Sequence, residues 1–102
     1  EPYKANREAQ PEDITFARCR FEARTSVHKK HVHEHAEEVI YILSGRGLSG
    51  VGDTEVEMGP GDTMFVPRGA VHWFSNPFDE PVEMLFAYTR PSLAQAGYRI
   101  VE

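Results

Sequence analysis

Hydrophobic and polar residues alternate in short runs along most of this chain. Residues 15–21 (TFARCRF) alternate between an apolar face and a face with two arginines. Residues 38–43 (EVIYIL) are rich in β-branched and aromatic side chains, and residues 82–88 (VEMLFAY) form the longest run of this kind. Because successive side chains of a strand point to opposite faces, these runs predict β-strands.

Glycine and proline turns divide the rest of the chain at near-even intervals. Between the turns, the pattern predicts short strands over residues 48–51, 55–58, 63–66 and 71–74. Up to Tyr88 no segment has a sustained period of 3.6 residues. Residues 92–97 (SLAQAG) suit one helical turn, with Ser92 as its N-cap and Gly97 as its C-cap. Many short strands separated by turns are typical of an all-β sandwich or barrel.

The length of the chain, 102 residues, favours one domain. We predict that residues 14–102 form the barrel. Residues 1–13 are polar and carry two prolines, so we expect an N-terminal arm or a first edge strand there.

The formal net charge of −5 argues against nucleic acid and anionic membranes as partners, since both bind basic surfaces. No apolar run approaches the roughly 20 residues that span a bilayer, and the N-terminal residues are too polar for a signal peptide. Cys19 is the single cysteine, so no intramolecular disulfide can form. The sequence therefore predicts a cytoplasmic protein that binds a small molecule.

The histidines concentrate the candidate chemistry in two places. His31 and His33 are two residues apart, so on a strand both imidazoles point to one spot. Glu38 begins the next predicted strand, and His72 lies on a later one after a proline-glycine turn. Three imidazoles and one carboxylate suit Fe, Mn, Ni, Co, Cu or Zn, whereas Ca and Mg prefer oxygen ligands.

Two motifs built on these residues resemble those of the cupin superfamily. The first cupin motif, usually written G-x5-H-x-H-x(3–4)-E-x6-G, is matched from His31 to Gly45, except that Thr25 stands in the place of the leading glycine. The second motif, G-x5-P-x-G-x2-H-x3-N, is matched at every position by Gly61, Pro67, Gly69, His72 and Asn76. The short connection between the motifs, residues 46–60, is typical of small single-domain cupins.

The resemblance implies a cupin-type double-stranded β-helix, or jelly-roll barrel, with one divalent metal ion (Fe, Mn, Ni or Zn) inside one end. The ligands it implies are His31, His33, Glu38 and His72. It implies turn or framework roles for Gly61, Pro67, Gly69 and Asn76, and Thr25 leaves the conformation of the loop before the first motif open. Cupins are commonly dimeric, so a homodimer is expected, with Trp73 or Tyr41 facing outward at the contact.

Other titratable residues near this set have alternative roles. Glu37 precedes Glu38, but alternation places the two on opposite faces and the motif spacing selects Glu38. His28 and His35 are expected in a surface loop, and His35 becomes a rival ligand only if the strand through His33 continues to it. A small basic patch beside the site is either a solvated rim or a guide for an anionic substrate; it comprises Arg24, Lys29 and Lys30.

Alternation also predicts the lining of the barrel. The positions in phase with Glu38 and His72, together with one face of residues 82–88, give the expected pocket-lining set Ile40, Ile42, Phe74, Met84, Phe86 and Tyr88. This pocket is apolar. Tyr88 is its main polar side chain and the candidate catalytic residue.

Four protein ligands leave room for substrate on a metal that accepts five or six, which favours a catalytic site over a closed structural one. The first hypothesis is a metal-dependent enzyme acting on a small oxygen-bearing organic molecule. Dioxygenase, isomerase, decarboxylase and lyase activities all occur among cupins, and a dioxygenase is our first expectation. A non-catalytic binding or sensor protein and a structural barrel with a stabilising metal are the alternatives, so the sequence leaves open whether the chain is an enzyme.

Overall fold

The computed structural model describes residues 12–25 and 30–101. These residues form nine β-strands, and none of them lies in a helix that is long and apolar enough to cross a membrane. The strands in chain order are β1 (Thr15–Phe21), β2 (His31–His33), β3 (Glu38–Ser44), β4 (Gly47–Val51), β5 (Thr54–Met58), β6 (Thr63–Val66), β7 (His72–Ser75), β8 (Val82–Tyr88) and β9 (Tyr98–Ile100).

The strands make two antiparallel sheets. The first has the order β1-β8-β3-β6 and the second the order β5-β4-β7-β2-β9. The chain crosses repeatedly between the sheets, as it does from β3 to β4 and from β6 to β7. This arrangement is a double-stranded β-helix, so the predicted all-β jelly roll is confirmed.

The core lies between the two sheets and follows the alternation read from the sequence. Along β3, Glu38, Ile40 and Ile42 are buried, whereas the residues between them are exposed. The buried side chains of β3 and β8 pack against Phe74 of β7 and Met58 of β5. A shift of register by one residue would bring the exposed set into the core, so burial itself fixes the register.

The structure differs from the sequence predictions in two of its short elements, β9 and β5. The strand β9 was not predicted, because three residues are too short to show a period. Val56 is exposed although β5 alternates in sequence, since β5 is an edge strand. Residues 92–97 form the single helical turn that the sequence predicts, with the Ala96 amide donating to the Ser92 carbonyl at 3.0 Å.

The predicted capping roles survive in that turn. The Gln95 amide donates to the Ser92 hydroxyl at 3.2 Å, and Gly97 ends the turn with a φ of 78°, a conformation that glycine adopts without strain. The arm predicted for residues 1–13 lies outside the described residues, apart from residues 12 and 13.

Candidate metal centre

Three strands bring the predicted ligands together at one end of the barrel. His31 pairs with His72 across the β2–β7 ladder, and Glu38 opens β3 in the facing sheet. The four side chains are all buried, with exposed fractions between 2% for His31 and 8% for Glu38. One donor atom from each lies within 4.8 Å of the other three. We call His31, His33, Glu38 and His72 the four-residue cluster.

The turn between β6 and β7 explains why the second motif needs its proline and glycine. The Ala70 amide donates to the Pro67 carbonyl at 3.1 Å, which closes a β-turn. Gly69 is the third residue of this turn and has a φ of 77°, a value that favours glycine. The Gly69 amide donates to the His33 carbonyl at 3.0 Å. The turn therefore ties the end of β2 to the start of β7.

The same turn orients the His72 ring. His72 Nδ1 lies 3.1 Å from the Ala70 carbonyl oxygen. Because a carbonyl oxygen only accepts hydrogen bonds, Nδ1 must carry a proton. In the neutral ring Nε2 then has no proton and presents a lone pair. This Nε2 lies 3.0 Å from Glu38 Oε1. Two electron pairs at this distance need a cation between them or beside them, which is either a second proton or a metal ion.

Glu38 Oε1 also receives the second histidine of the cluster, since His33 Nε2 lies 3.2 Å from it. Burial raises the pKa of the Glu38 carboxyl, but the hydrogen bonds from His33 and His72 outweigh this effect and lower the pKa from 4.5 to about 2. The carboxyl is therefore ionised at neutral pH and is available as an anionic ligand.

The two nitrogens of the His33 ring have different surroundings, because Nε2 faces Glu38 and Nδ1 lies on the other side of the ring. His33 Nδ1 is buried and has no hydrogen-bond partner among the described residues. Leaving a buried polar atom unpaired costs about 1–3 kcal/mol. Three converging imidazoles around one ionised carboxylate are also the ligand chemistry of divalent transition metals. The residues present therefore fit a metal ion.

A cavity of about 320 Å³ opens beside the cluster. Five of the six expected lining residues lie on its wall, namely Ile40, Phe74, Met84, Phe86 and Tyr88. Ile42 was expected there and is not; it is fully buried in the core. It shares the face of Ile40, but it lies one pleat further along β3 from Glu38.

Tyr88, the candidate catalytic residue, stacks on the cluster. Its ring lies 5.1 Å from the His33 ring at an interplanar angle of 26°. Burial, together with the charge of Glu38, raises the pKa of the Tyr88 hydroxyl. The phenol therefore keeps its proton at neutral pH, and its hydroxyl is hydrogen-bonded to the Thr15 side chain.

Sequence reasoning missed five residues at the cavity wall: Cys19, Phe21, Trp73, Leu93 and Tyr98. Trp73 had been expected to face outward, whereas Leu93 and Tyr98 lie on the segment that ends in β9. The Tyr98 ring lies 5.0 Å from the His31 ring and 5.8 Å from the His33 ring. It reaches the cluster because β9 pairs with β2, placing Tyr98 opposite His33. No local signal could have predicted this, since the pairing joins segments far apart in sequence.

The residues that competed with the cluster lie away from it. The strand β2 ends at His33, and His35 is exposed in the turn that follows. Glu37 is part-exposed in the loop before β3, where its amide donates to the Thr89 hydroxyl at 3.1 Å. His28 lies outside the described residues.

The basic patch is divided between different partners. Arg24 pairs with Asp79, and the Lys30 ammonium lies 4.8 Å from the centre of the Trp73 ring. Trp73 alternates with the buried His72 and donates to the Glu55 carboxylate at 2.7 Å. Lys29 lies outside the described residues.

The loop before β2, which Asn76 fastens, shows how the first motif tolerates Thr25 in place of glycine. The Asn76 side chain is fully buried and donates to the carbonyls of Phe21, Glu22 and Glu80. Its backbone amide donates to the Thr25 carbonyl at 2.8 Å. Among the residues of this loop that the structure describes, Arg24 has a positive φ of 58°, and Thr25 does not. Thr25 itself therefore needs no glycine conformation.

Comparison with known proteins agrees with this fold. A family model described as "Cupin domain" matches residues 17–88, a range that contains the whole four-residue cluster. Over 55 residues the chain is 36% identical to the uncharacterized protein MJ1618 of Methanocaldococcus jannaschii, a match that covers 54% of this chain and 44% of that protein. The chain spans less than half the length of the curated relatives it matches.

Two solved structures are similar over most of the chain. The protein TT1209 from Thermus thermophilus is 30% identical with a TM-score of 0.74, and the match covers 79% of this chain and 76% of that one. A predicted oxalate decarboxylase from Thermotoga maritima is 29% identical with a TM-score of 0.71, covering 78% of this chain and 68% of that one.

Proposed function

This chain belongs to the cupin family, and we propose that it is a metal-dependent enzyme that acts on a small oxygen-bearing organic molecule. The observation that supports this most directly is the placement of the four-residue cluster. Its donor atoms lie within 4.8 Å of one another at the wall of a cavity of about 320 Å³. A purely structural site would be closed by protein ligands, whereas this one faces space for a substrate.

His31, His33, Glu38 and His72 would hold the metal ion, with Fe, Mn, Ni and Zn as the candidates. A bound metal would supply Lewis-acid polarisation of a substrate oxygen or, as iron, activation of dioxygen. The protein contributes the rest. The Ala70 carbonyl orients His72, and the apolar wall excludes water from the bound molecule.

Among the reactions open to such a site we favour oxidative cleavage. Isomerase, decarboxylase and lyase reactions need a protein group that moves a proton in the transition state. Outside the four-residue cluster, the titratable groups among the described lining residues are Cys19, Tyr88 and Tyr98. Burial raises the pKa of both the Cys19 thiol and the Tyr88 hydroxyl, so neither group is ionised and able to accept a proton at neutral pH. A reaction whose chemistry comes from the metal and dioxygen needs the fewest acid and base groups among the lining residues.

The same scarcity of acid and base groups favours a second candidate, a non-catalytic protein that grips a small molecule through its metal. Turnover distinguishes the two candidates, because both require the metal. The chain has a single cysteine, Cys19, and hence no internal disulfide; a reducing compartment such as the cytoplasm suits either candidate.

Elemental analysis of protein purified without chelators tests the metal site. We expect about one transition-metal ion per chain in the wild type, and the same content in His35→Ala, which removes a neighbouring exposed histidine. His72→Ala should lose most of the metal. Its affinity should fall by more than the roughly 10–100-fold that loss of an outer partner costs. Full metal content in His72→Ala would refute the assignment.

Turnover is tested on protein reconstituted without oxygen with Fe²⁺, Mn²⁺, Ni²⁺ or Zn²⁺. We expect the iron form to consume dioxygen with a member of a panel of small enols, catechols and hydroxy acids, and the zinc form to consume none. Ligand binding without turnover in all four forms would favour the binding protein over the enzyme.

A further inference from the structure

The wall of the cavity differs from the cluster at its edge in that it carries no charge. Outside the four-residue cluster, the described lining residues include no lysine, arginine, aspartate or glutamate. Aliphatic and aromatic side chains dominate, with Phe21, Met84, Phe86 and Leu93 among them. Whatever binds here must therefore satisfy its charge at the metal and bury its body against apolar surface.

The basic side chains of the described residues are engaged elsewhere. Arg18 and Arg20 pair with Glu83 on the outer face of β1. Arg46 pairs with Glu57, and Arg99 pairs with Glu34. The others are Arg24, Lys30, Arg68 and Arg90, which contact Asp79, the Trp73 ring or backbone carbonyls. Of these partners, Trp73 is itself a lining residue, and it holds Lys30 through its ring. None of these basic side chains lines the cavity.

Charge balance at the cluster then limits the ligand. A divalent cation held by neutral imidazoles and one Glu38 carboxylate has a net charge of +1. One further negative charge on the ligand gives a neutral site. A dianion leaves one negative charge uncompensated beside an apolar wall, and burying an unpaired charge is strongly unfavourable.

The size and chemistry of the wall limit the rest of the ligand. A cavity of about 320 Å³ lies at the lower end of the range for small-molecule sites. The rings of Phe86 and Tyr88 lie 5.8 Å apart at 22°, in a stack that continues to His33, so the wall beside the cluster is aromatic. Leu93 and Tyr98 complete the wall, and both lie beyond residues 17–88, the range that the family model matches.

We infer that the ligand of this site is a monoanionic chelator with two oxygen donors on an apolar body about the size of one ring. Enolates of β-dicarbonyls and singly ionised catechols share this chemistry. The inference rests on the proposed function, since the chelating group needs the metal. It excludes oxalate, on which the Thermotoga protein is predicted to act, as the preferred ligand of this chain.

Three probes distinguish the effect of charge from the effect of shape. Their affinities are measured by calorimetry on the zinc-loaded protein, because Zn²⁺ has no redox chemistry. Tropolone is a ring-sized monoanion with two adjacent oxygens when it chelates. Glycolate is a monoanion without an apolar body, and oxalate is a dianion without one. Each affinity is divided by the affinity of the same probe for aqueous Zn²⁺, and native mass spectrometry verifies that the ion stays bound.

We expect this ratio to be highest for tropolone, intermediate for glycolate and lowest for oxalate, with each step at least about tenfold. A ratio for oxalate equal to or above that for glycolate would overturn the charge argument. A ratio for glycolate equal to that for tropolone would contradict the inference that the ligand has an apolar body. Absence of zinc binding is a different result, since it refutes the proposed function itself.

Variants at Leu93 test the same inference on the chain, because this residue is exposed enough to replace without disturbing the core. Leu93→Ala should weaken the binding of tropolone about five- to tenfold and leave the binding of glycolate unchanged. Leu93→Arg should raise the affinity for oxalate relative to glycolate.

The matched control is Val56→Arg, which adds the same charge at an exposed aliphatic residue of the edge strand β5, outside the lining of the cavity. It should leave all three affinities unchanged. If Leu93→Arg and Val56→Arg have the same effect on the three affinities, the wall does not select the ligand and the inference is wrong. Melting curves of all variants verify that they fold.

Discussion

At the scale of single residues, the charge of the Glu38 carboxylate links the metal-free site to the stability of the fold. One of its oxygens lies within 3.2 Å of two imidazole nitrogens, and the whole group is nearly excluded from water. A buried carboxylate is stable only while its partners compensate its charge. The lowered pKa of Glu38 expresses this compensation, and it links the stability of the fold to pH.

We expect metal-free protein to lose stability in acid through Glu38. The folded pKa is about 2 and the ordinary value is 4.5, so the contribution of Glu38 is full above pH 4.5 and is lost as the pH falls toward 2. The loss should reach about 3 kcal/mol. Urea unfolding in the presence of EDTA measures it at several pH values.

Glu38→Gln provides the comparison for this experiment. Glutamine cannot titrate, so the difference in unfolding free energy between wild type and variant should shrink as the pH is lowered. Glu37→Gln, at the part-exposed neighbour, should follow the wild type at every pH. A difference between wild type and Glu38→Gln that stays constant from pH 6 to pH 3 would contradict the predicted linkage.

At the scale of elements, local pattern carried most of the information. The strands β1, β3 and β8 each have seven residues, enough for a period of two to be visible, and the sequence predicted all three. The cluster followed from spacing, because His31 and His33 share a strand face. By contrast, β9 has three residues, and its place beside β2 depends on tertiary pairing. Tyr98 and Leu93 therefore could not be predicted at the cavity.

The segment that ends in β9 is fastened to the turn after β2 by backbone hydrogen bonds at Ala96 and Gly97. The His35 amide donates to the Ala96 carbonyl at 2.8 Å, and the Glu34 amide donates to the Gly97 carbonyl at 3.2 Å. Gly97 has a φ of 78°, and a Cβ there would lie 2.7 Å from His35 Cδ2. Any other residue at this position is strained by both conformation and contact.

We expect Gly97→Ala to loosen this segment without unfolding the barrel. The left-handed conformation alone costs an alanine about 1–2 kcal/mol, which corresponds to about a 5–30-fold change in an equilibrium. Hydrogen exchange of the Glu34 and His35 amides should accelerate by that factor, while the amides of β4 keep their protection. Gly59→Ala is the matched control, because a Cβ there meets nothing within 4 Å. Equal exchange in Gly97→Ala and wild type would contradict the fastening role.

At the scale of the whole molecule, the two sheets differ in what they present outward. The register of the first sheet places Phe16, Ala87, Val39 and Phe65 in one row across all four strands. Phe16, Val39 and Phe65 are each at least 41% exposed, and Tyr41 lies in the next row. We call this row, together with Tyr41 and Leu43, the outer apolar face. A contiguous apolar surface of this kind is typical of a protein–protein contact.

The outer apolar face refines the expectation of a homodimer. Two aromatic residues were expected at the dimer contact. Trp73 is covered by Glu55 and Lys30, whereas Tyr41 is 41% exposed. In a two-fold symmetric dimer the same face meets itself, so each substitution enters the contact twice. Phe65, at 52% exposure, is the member of the face on which a charge should act most strongly.

We therefore expect light scattering to give a mass of twice 11.6 kDa for the wild type and a monomer for Phe65→Glu. The paired carboxylates would face each other across a surface that must lose its water on association, and like charges in that position oppose binding. Val56→Glu is the matched control: Val56 is 40% exposed on the edge strand of the other sheet, so this variant should stay dimeric. A monomeric wild type would refute the dimer outright, and a dimer that Phe65→Glu leaves intact would place its contact on another surface.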